Sequence, residues 1–201
     1  MRPEQVNALF EAARGDRLEG LYILAVHTGL RQGELLGLKW EDVDLEAGTL
    51  QVRRTLTTAK SGPVLSTPKT KGSRRSVTLT QSAVEALRSH LQRQLGGIDR
   101  AASLWRENGL IFASEAGDPL DRRYLTNHRF KPLLKGAGLP PIRFHGLRHT
   151  CATLLLGANV NPKTVSELLG HASISITLDT YSHVLPNMQS EAAKALGDAL
   201  G

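Results

Sequence analysis

Helical periodicity runs through most of this chain and is broken in one place. Between residues 49 and 79 the apolar residues alternate instead of recurring at every third and fourth position. Leu50 and Val52 alternate with Gln51 and Arg53 in Thr49–Thr55, and Val77 and Leu79 alternate in the same way over Ser76–Leu79. Alternation marks half-buried strands. The Gly- and Pro-punctuated stretch between them, TTAKSGPVLSTPKTKGSRR, reads as a loop plus a strand-turn, so a small antiparallel sheet follows. Elsewhere the stripes predict helices over 3–14, 19–28, 32–38, 81–95, 121–136 and 145–156. Leu21, Leu24, Ala25 and Thr28 form one such stripe, with Gly29 as its stop. Asn161-Pro162 starts a further helix, a capping side chain followed by proline at the first helical position, and Gly170 ends it. Helices over 173–181 and 186–200 complete a fold of mixed class, mainly α with a small antiparallel β-sheet.

Charge narrows the partner. Lys and Arg total 25 against 19 Asp and Glu in 201 residues, a net charge of +6, which favours an anionic partner and nucleic acid first. The excess is uneven: Lys60, Lys69, Lys71, Arg74 and Arg75 lie in a loop, 57–78, with no acidic residue. A segment this one-sided suits a phosphate backbone better than ordinary surface. The single Cys151 excludes an internal disulfide and suggests a reducing compartment. No apolar run is long enough to span a bilayer, and the first helix is amphipathic rather than a leader. A cytoplasmic location is expected.

The segment Phe144-His145-Gly146-Leu147-Arg148-His149-Thr150 sets two histidines four apart around an arginine. Histidines so spaced hold zinc in many helices, but a hydrolytic zinc site wants a glutamate after the first histidine. Gly146 stands there instead, and Arg148 would put a cation beside the metal. A guanidinium flanked by imidazole suits a phosphate better. Leu147, Cys151, Leu154 and Leu155 form the apolar stripe of this helix, with His145 and Arg148 on another face. Similar chemistry recurs elsewhere. Arg31 follows the stop at Gly29, with Glu34 three residues on to orient it or to pair with it at the surface. His171 follows Gly170, and Tyr181 lies ten residues further along.

Together TGLRQGEL, PKTKGSRRSVTL, HGLRHT, LGH and TYSH make the chain resemble the tyrosine recombinase (phage integrase) family, in the family's order and spacing from about residue 3 to the C-terminus. The resemblance implies the family's catalytic-domain fold, with Arg31 and Arg148 on the non-bridging oxygens of a scissile phosphate. It also implies His145 and His171 as hydrogen-bonding or proton-transferring groups, and Tyr181 as the nucleophile that forms a 3′-phosphotyrosine link. Lys69, in PKT, is the general acid it implies, with Lys71 the alternative. Glu34 would support the first arginine and His149 the surrounding shell. Lys71, Arg74, Arg75, Arg122, Arg123 and Arg129 are the expected DNA contacts. Neither a metal nor a cofactor is required, because the phosphotyrosine conserves the bond energy.

The resemblance implies that residues 1–201 form a C-terminal catalytic domain, without the N-terminal core-binding domain of relatives. A tail helix over 186–201 would be exchanged between protomers or folded back in cis. The expected partner is double-stranded DNA at an attachment or core site, with a homotetramer on DNA for the full-length protein and a monomer for this chain alone. The expected activity is site-specific, metal-independent strand breakage and rejoining. A catalytically silent DNA-binding regulator and a type IB topoisomerase-like relaxing enzyme are the alternatives.

Overall fold

A computed structural model describes residues 1–59, 62–67 and 74–182, together with 193, 196–198 and 200. Lys60, Lys69, Lys71 and His183 lie outside the described residues, as does most of the tail expected over 186–201.

The first helices are α1 (Pro3–Ala13), α2 (Glu19–Thr28) and α3 (Gln32–Leu36). Helix α2 is buried almost all round, and its Leu21, Tyr22, Leu24 and Ala25 are at the centre of the main core. It ends at Gly29, whose φ of 61° is left-handed, a conformation that only glycine adopts cheaply. A Cβ there would also lie 2.5 Å from Leu169 Cδ2 and 3.2 Å from the Cys151 sulfur. That glycine therefore lets the end of α2 press against two later helices.

Strands β1 (Val43–Asp44), β2 (Thr49–Val52) and β5 (Arg75–Thr78) form one antiparallel sheet in the order β1-β2-β5. Leu50 lies opposite Val77, so the apolar sides of the two alternating segments meet over the core. Strands β3 (Thr55–Ala59) and β4 (Gly62–Ser66) pair only with each other among the described residues. The expected single sheet is thus a three-stranded sheet and a separate hairpin. The hairpin's bond pattern is local, whereas β5 returns to β2 across 23 residues of sequence, from Val52 to Arg75.

Helix α4 (Gln81–Ala101) runs a turn and a half beyond its expected end and packs on α2. The expected helix over 121–136 is three pieces: a turn α5 (Arg122–Tyr124), a π-helical segment (Leu125–Phe130) and α6 (Lys131–Gly136). The wider π turn brings Leu125 and Phe130, five apart, into the core together, where Phe130 meets Tyr22 and Phe144. Helices α7 (Gly146–Gly157), α8 (Pro162–Leu169) and α9 (Ile174–Tyr181) complete the described fold. Asn161 caps α8 by accepting from the Lys163 amide at 2.8 Å, as its sequence signal requires. Ala152, Leu156, Val165, Leu169 and Tyr181 form a second, smaller core among these last helices. No helix of the described residues is long and apolar enough to cross a membrane.

Candidate active site

The end of α2, the start of α3, the start of β5, the first turn of α7 and the end of α8 converge around one carboxylate. Glu34 is 3% exposed and holds two arginines. Its Oε1 accepts from Arg31 Nη1 at 2.8 Å, and its Oε2 accepts from the Arg31 backbone amide at 2.9 Å, as a capping glutamate does. From the other side Arg75 donates through Nη2 to Oε2 at 3.1 Å and through Nη1 to Oε1 at 3.3 Å. Burial alone would raise the Glu34 carboxyl, but the charge and hydrogen bonds of Arg75, with those of Arg31, hold it below the usual carboxylate range. Glu34 is therefore ionised at neutral pH and organises two guanidinium groups.

The C-terminus of α8 supplies the rest of this frame. A helix leaves its last carbonyls without intrahelical partners, and they carry the negative end of its dipole. Arg75 Nε donates to the Leu168 carbonyl at 2.6 Å, and Arg31 Nη2 to the Gly170 carbonyl at 3.2 Å. Gly170 takes φ 66°, and the His171 amide returns to the Ser166 carbonyl, a Schellman closure that turns His171 toward the arginines. The His171 Nδ1 is paired with the buried Thr177 hydroxyl at 2.8 Å. Thr177 carried no signal in the sequence; it is one of many threonines, and only the fold puts it against an imidazole.

Arg148 is 3% exposed and belongs to the buried side of α7, between Leu147 and Cys151, not to a separate polar face. Its Nη1 donates to the Gly29 carbonyl at 2.8 Å, while Nη2 is buried with no hydrogen-bond partner among the described residues. A buried guanidinium nitrogen without an acceptor is costly and calls for an anion. Burial first, then the charges of Arg31 and Arg75, lower Arg148 to about 10, so it stays cationic at neutral pH.

The histidines and tyrosine close the group. His145 caps α7 and is exposed; burial first, then His149, Arg148 and Arg31, lowers its pKa. His171 is lowered to about 4 by burial, then by Arg148, Arg31, Arg75 and His145. That each of these charges acts on His171 marks them as one cluster. Tyr181, 3% exposed, has its ring in the smaller core, and its hydroxyl is 2.9 Å from His149 Nδ1. Burial raises the Tyr181 pKa and outweighs the lowering effect of Arg148. The positive surroundings alone therefore leave the phenol protonated, contrary to the simple expectation that they favour the phenolate.

Of the residues singled out in the sequence, Arg31, Glu34, Arg75, His145, Arg148, His149, His171 and Tyr181 are brought together. Arg75, expected as a DNA contact, has its side chain only 8% exposed and packed on Glu34. The alternation of β5 carries a signal for this, because Arg75 lies two residues before the buried Val77 on the same inward face. Arg129 pairs with Asp16 at 2.7 Å. Arg74, Arg122 and Arg123 are exposed. His145 and His149 meet edge to face at 4.9 Å between ring centres. No group of three metal-ligating side chains comes together among the described residues.

Residues 1–188 match the family model described as the phage integrase family. The chain is 42% identical over 207 aligned residues to a "Tyrosine recombinase XerC-like" protein of Caldanaerobacter subterraneus, covering 97% of this chain and 53% of that protein. It is 32% identical to the "ICEBs1 integrase" of Bacillus subtilis, covering 99% of this chain and 54% of that protein. The chain thus spans about half the length of these curated relatives. Among solved structures, the XerH site-specific recombinase bound to its difH substrate aligns over 96% of this chain and 53% of that one, at 26% identity and a TM-score of 0.69. The shared fold and the family match across nearly the whole sequence lead to one conclusion: the chain belongs to the phage integrase family of tyrosine recombinases.

Proposed function

We propose that this chain is the catalytic domain of a site-specific DNA recombinase that breaks and rejoins strands through a 3′-phosphotyrosine at Tyr181. The observation that carries this reading is the pair Arg31 and Arg148, fixed within one cluster that also holds His145, His171 and the Tyr181 hydroxyl. A phosphate entering it meets Nη2 of Arg148, which has no hydrogen-bond partner among the described residues. Donors already aimed at the oxygens on which charge develops need no reorganisation during reaction, the largest source of stabilisation in most enzymes. Glu34 and the α8 carbonyls hold the frame before DNA arrives.

Attack by the Tyr181 oxygen forms the O–P bond and breaks the bond to the 5′-oxygen, which leaves as a hydroxyl after protonation. Lys69 is the proposed acid, on its PKT context alone, with Lys71 the alternative. His145 and His171 donate to the phosphate oxygens. The similarity to a site-specific recombinase bound to its difH substrate supports duplex DNA as the partner. We extend this to contacts from Arg74, Arg122 and Arg123, to a tetramer on DNA in the full-length protein, and to a cytoplasmic location.

A nicked suicide duplex bearing the attachment core of the element that encodes the chain tests the proposal. The wild type should give an SDS-resistant protein–DNA adduct that Tyr181→Phe lacks. Binding without an adduct would return the silent-regulator reading, and relaxation of supercoils without strand exchange the topoisomerase one. Lys69→Ala should lose cleavage of an ordinary phosphodiester and regain it with a 5′-bridging phosphorothiolate, whose leaving group needs no proton. Such behaviour in Lys71→Ala alone would move the acid to Lys71.

A further inference from the structure

We propose that His149 is itself a catalytic residue, the group that takes the proton from the Tyr181 hydroxyl as that oxygen attacks phosphorus. The inference rests on the recombinase reading and adds a residue to it. It starts from one contact: the Tyr181 oxygen is 2.9 Å from His149 Nδ1. That is hydrogen-bond reach for a general base. The tyrosine ring is fixed on α9 by Ala152, Leu156, Val165 and Leu169, so the position of the hydroxyl is set by packing. The imidazole is carried by α7, where His149 directly follows Arg148, and its ring meets that of His145 edge to face.

The other histidines are placed for different work. His145 lies at the exposed helix start, and His171 commits its Nδ1 to Thr177. Among the described residues, the charged and titratable groups facing His149 are His145 and Arg148 on its own helix and Tyr181 on α9. Burial first, then Arg148, keeps His149 neutral and able to accept. The need for such an acceptor is plain, since burial leaves the Tyr181 phenol protonated.

The step balances. The Tyr181 O–H bond breaks toward Nδ1 of His149, giving an imidazolium, while the phenolate oxygen bonds to phosphorus. The bond from phosphorus to the 5′-oxygen breaks with its electron pair on that oxygen, which takes a proton from the general acid. In rejoining, the incoming 5′-hydroxyl returns its proton to the deprotonated general acid as it attacks, and the departing Tyr181 oxygen recovers its proton from His149. The imidazolium would raise the local charge beside Arg148, but the phosphorane brings a compensating negative charge in the same step.

His149 is exposed on its outer edge, so its side chain can be removed and replaced by a small molecule. The test is single-turnover adduct formation by the full natural chain on a nicked duplex with a 5′-bridging phosphorothiolate, which removes the leaving-group proton from the rate. His149→Gly should slow the adduct by on the order of 10²–10⁴-fold. Added imidazole should restore it, and a series of substituted imidazoles should restore it faster as their basicity rises. His149→Ala, which perturbs the helix less, should show the same loss and rescue if the glycine variant melts early. An unchanged rate in both variants overturns the proposal, and so does rescue that ignores basicity. A faster rate also overturns it, because the contact would then be holding the tyrosine back. Failure of the wild type to form any adduct would instead bring down the recombinase reading.

Discussion

The two sides of the candidate site are built to different rules. On the arginine side, Arg31, Arg75 and Arg148 are tied to Glu34, to the Gly29 carbonyl and to the last carbonyls of α8. These ties join α2, α3, β5, α7 and α8, and Glu34 lies beside the main core through its neighbours Leu35 and Leu36. On the tyrosine side, Tyr181 sits in a small satellite core and meets the rest of the site through one hydrogen bond to His149. The arginine charges are tied into the main fold, whereas the proposed nucleophile, Tyr181, is held by the smaller core. Changes on the first side should cost stability and activity together; changes on the second should cost activity almost alone.

The largest expected effect breaks the arginine side at its centre. Glu34→Ala leaves two buried or half-buried guanidinium groups without their carboxylate, and removal of one partner from a buried pair costs about 3–5 kcal/mol. Denaturant unfolding should give a loss of that size. A loss below ~1 kcal/mol would mean that the frame is ornament to the fold and that the contrast between the two sides is wrong.

Acid should reach the same region next. His171 has an ordinary pKa of 6.5 in the unfolded chain and about 4 in the folded one. The unfolded state therefore binds the proton first, so this contribution is full above pH 6.5 and is lost as pH falls toward 4. The ring is partly solvated, so the loss attributable to it should be about 1 kcal/mol after allowance for screening. His171→Asn should flatten that part of the stability-versus-pH curve; an unaltered slope would place the acid sensitivity elsewhere.

Tyr181→Phe sharpens the comparison from the other side. It keeps the ring in its small core and removes one hydrogen bond, so the unfolding free energy should fall by about 0.5–1.5 kcal/mol while adduct formation disappears. A loss as large as that of Glu34→Ala would erase the distinction. The smallest effect on stability belongs to the outer cations. Replacing exposed Arg122 and Arg123 by alanine should leave stability within about 0.5 kcal/mol. If both touch phosphates, the salt slope of DNA binding should shrink by about 1.8.

What the sequence made legible follows the range of the interactions involved. Helix α8 could be bounded exactly because its signals are local: Asn161 accepts from an amide two residues on, and Gly170 adopts the left-handed turn that ends it. The bond between Arg31 and Glu34 was equally accessible, being three residues in reach. The π-helical turn at Leu125–Phe130 was not, since its residues fit an ordinary helix until Phe130 must meet Tyr22 and Phe144. Arg75 looked like a phosphate contact because the acid it needs is 41 residues away in Glu34. Periodicity puts Arg148 on a polar face, and it cannot foresee that Gly29 offers a buried carbonyl. The motifs picked out the residues that cluster; the long-range pairings decided which cations are scaffold and which are surface.

The central claim is that a frame of buried and half-buried arginines presents a phosphate to Tyr181. The most direct measurement is to trap the adduct on a suicide duplex, digest protein and DNA, and sequence the nucleotide-bearing peptide by mass spectrometry. The account predicts a 3′-phosphonucleotide on Tyr181, in the peptide containing Leu178-Asp179-Thr180-Tyr181-Ser182. The nucleotide on any other side chain, or attachment through a 5′-phosphate, would contradict it.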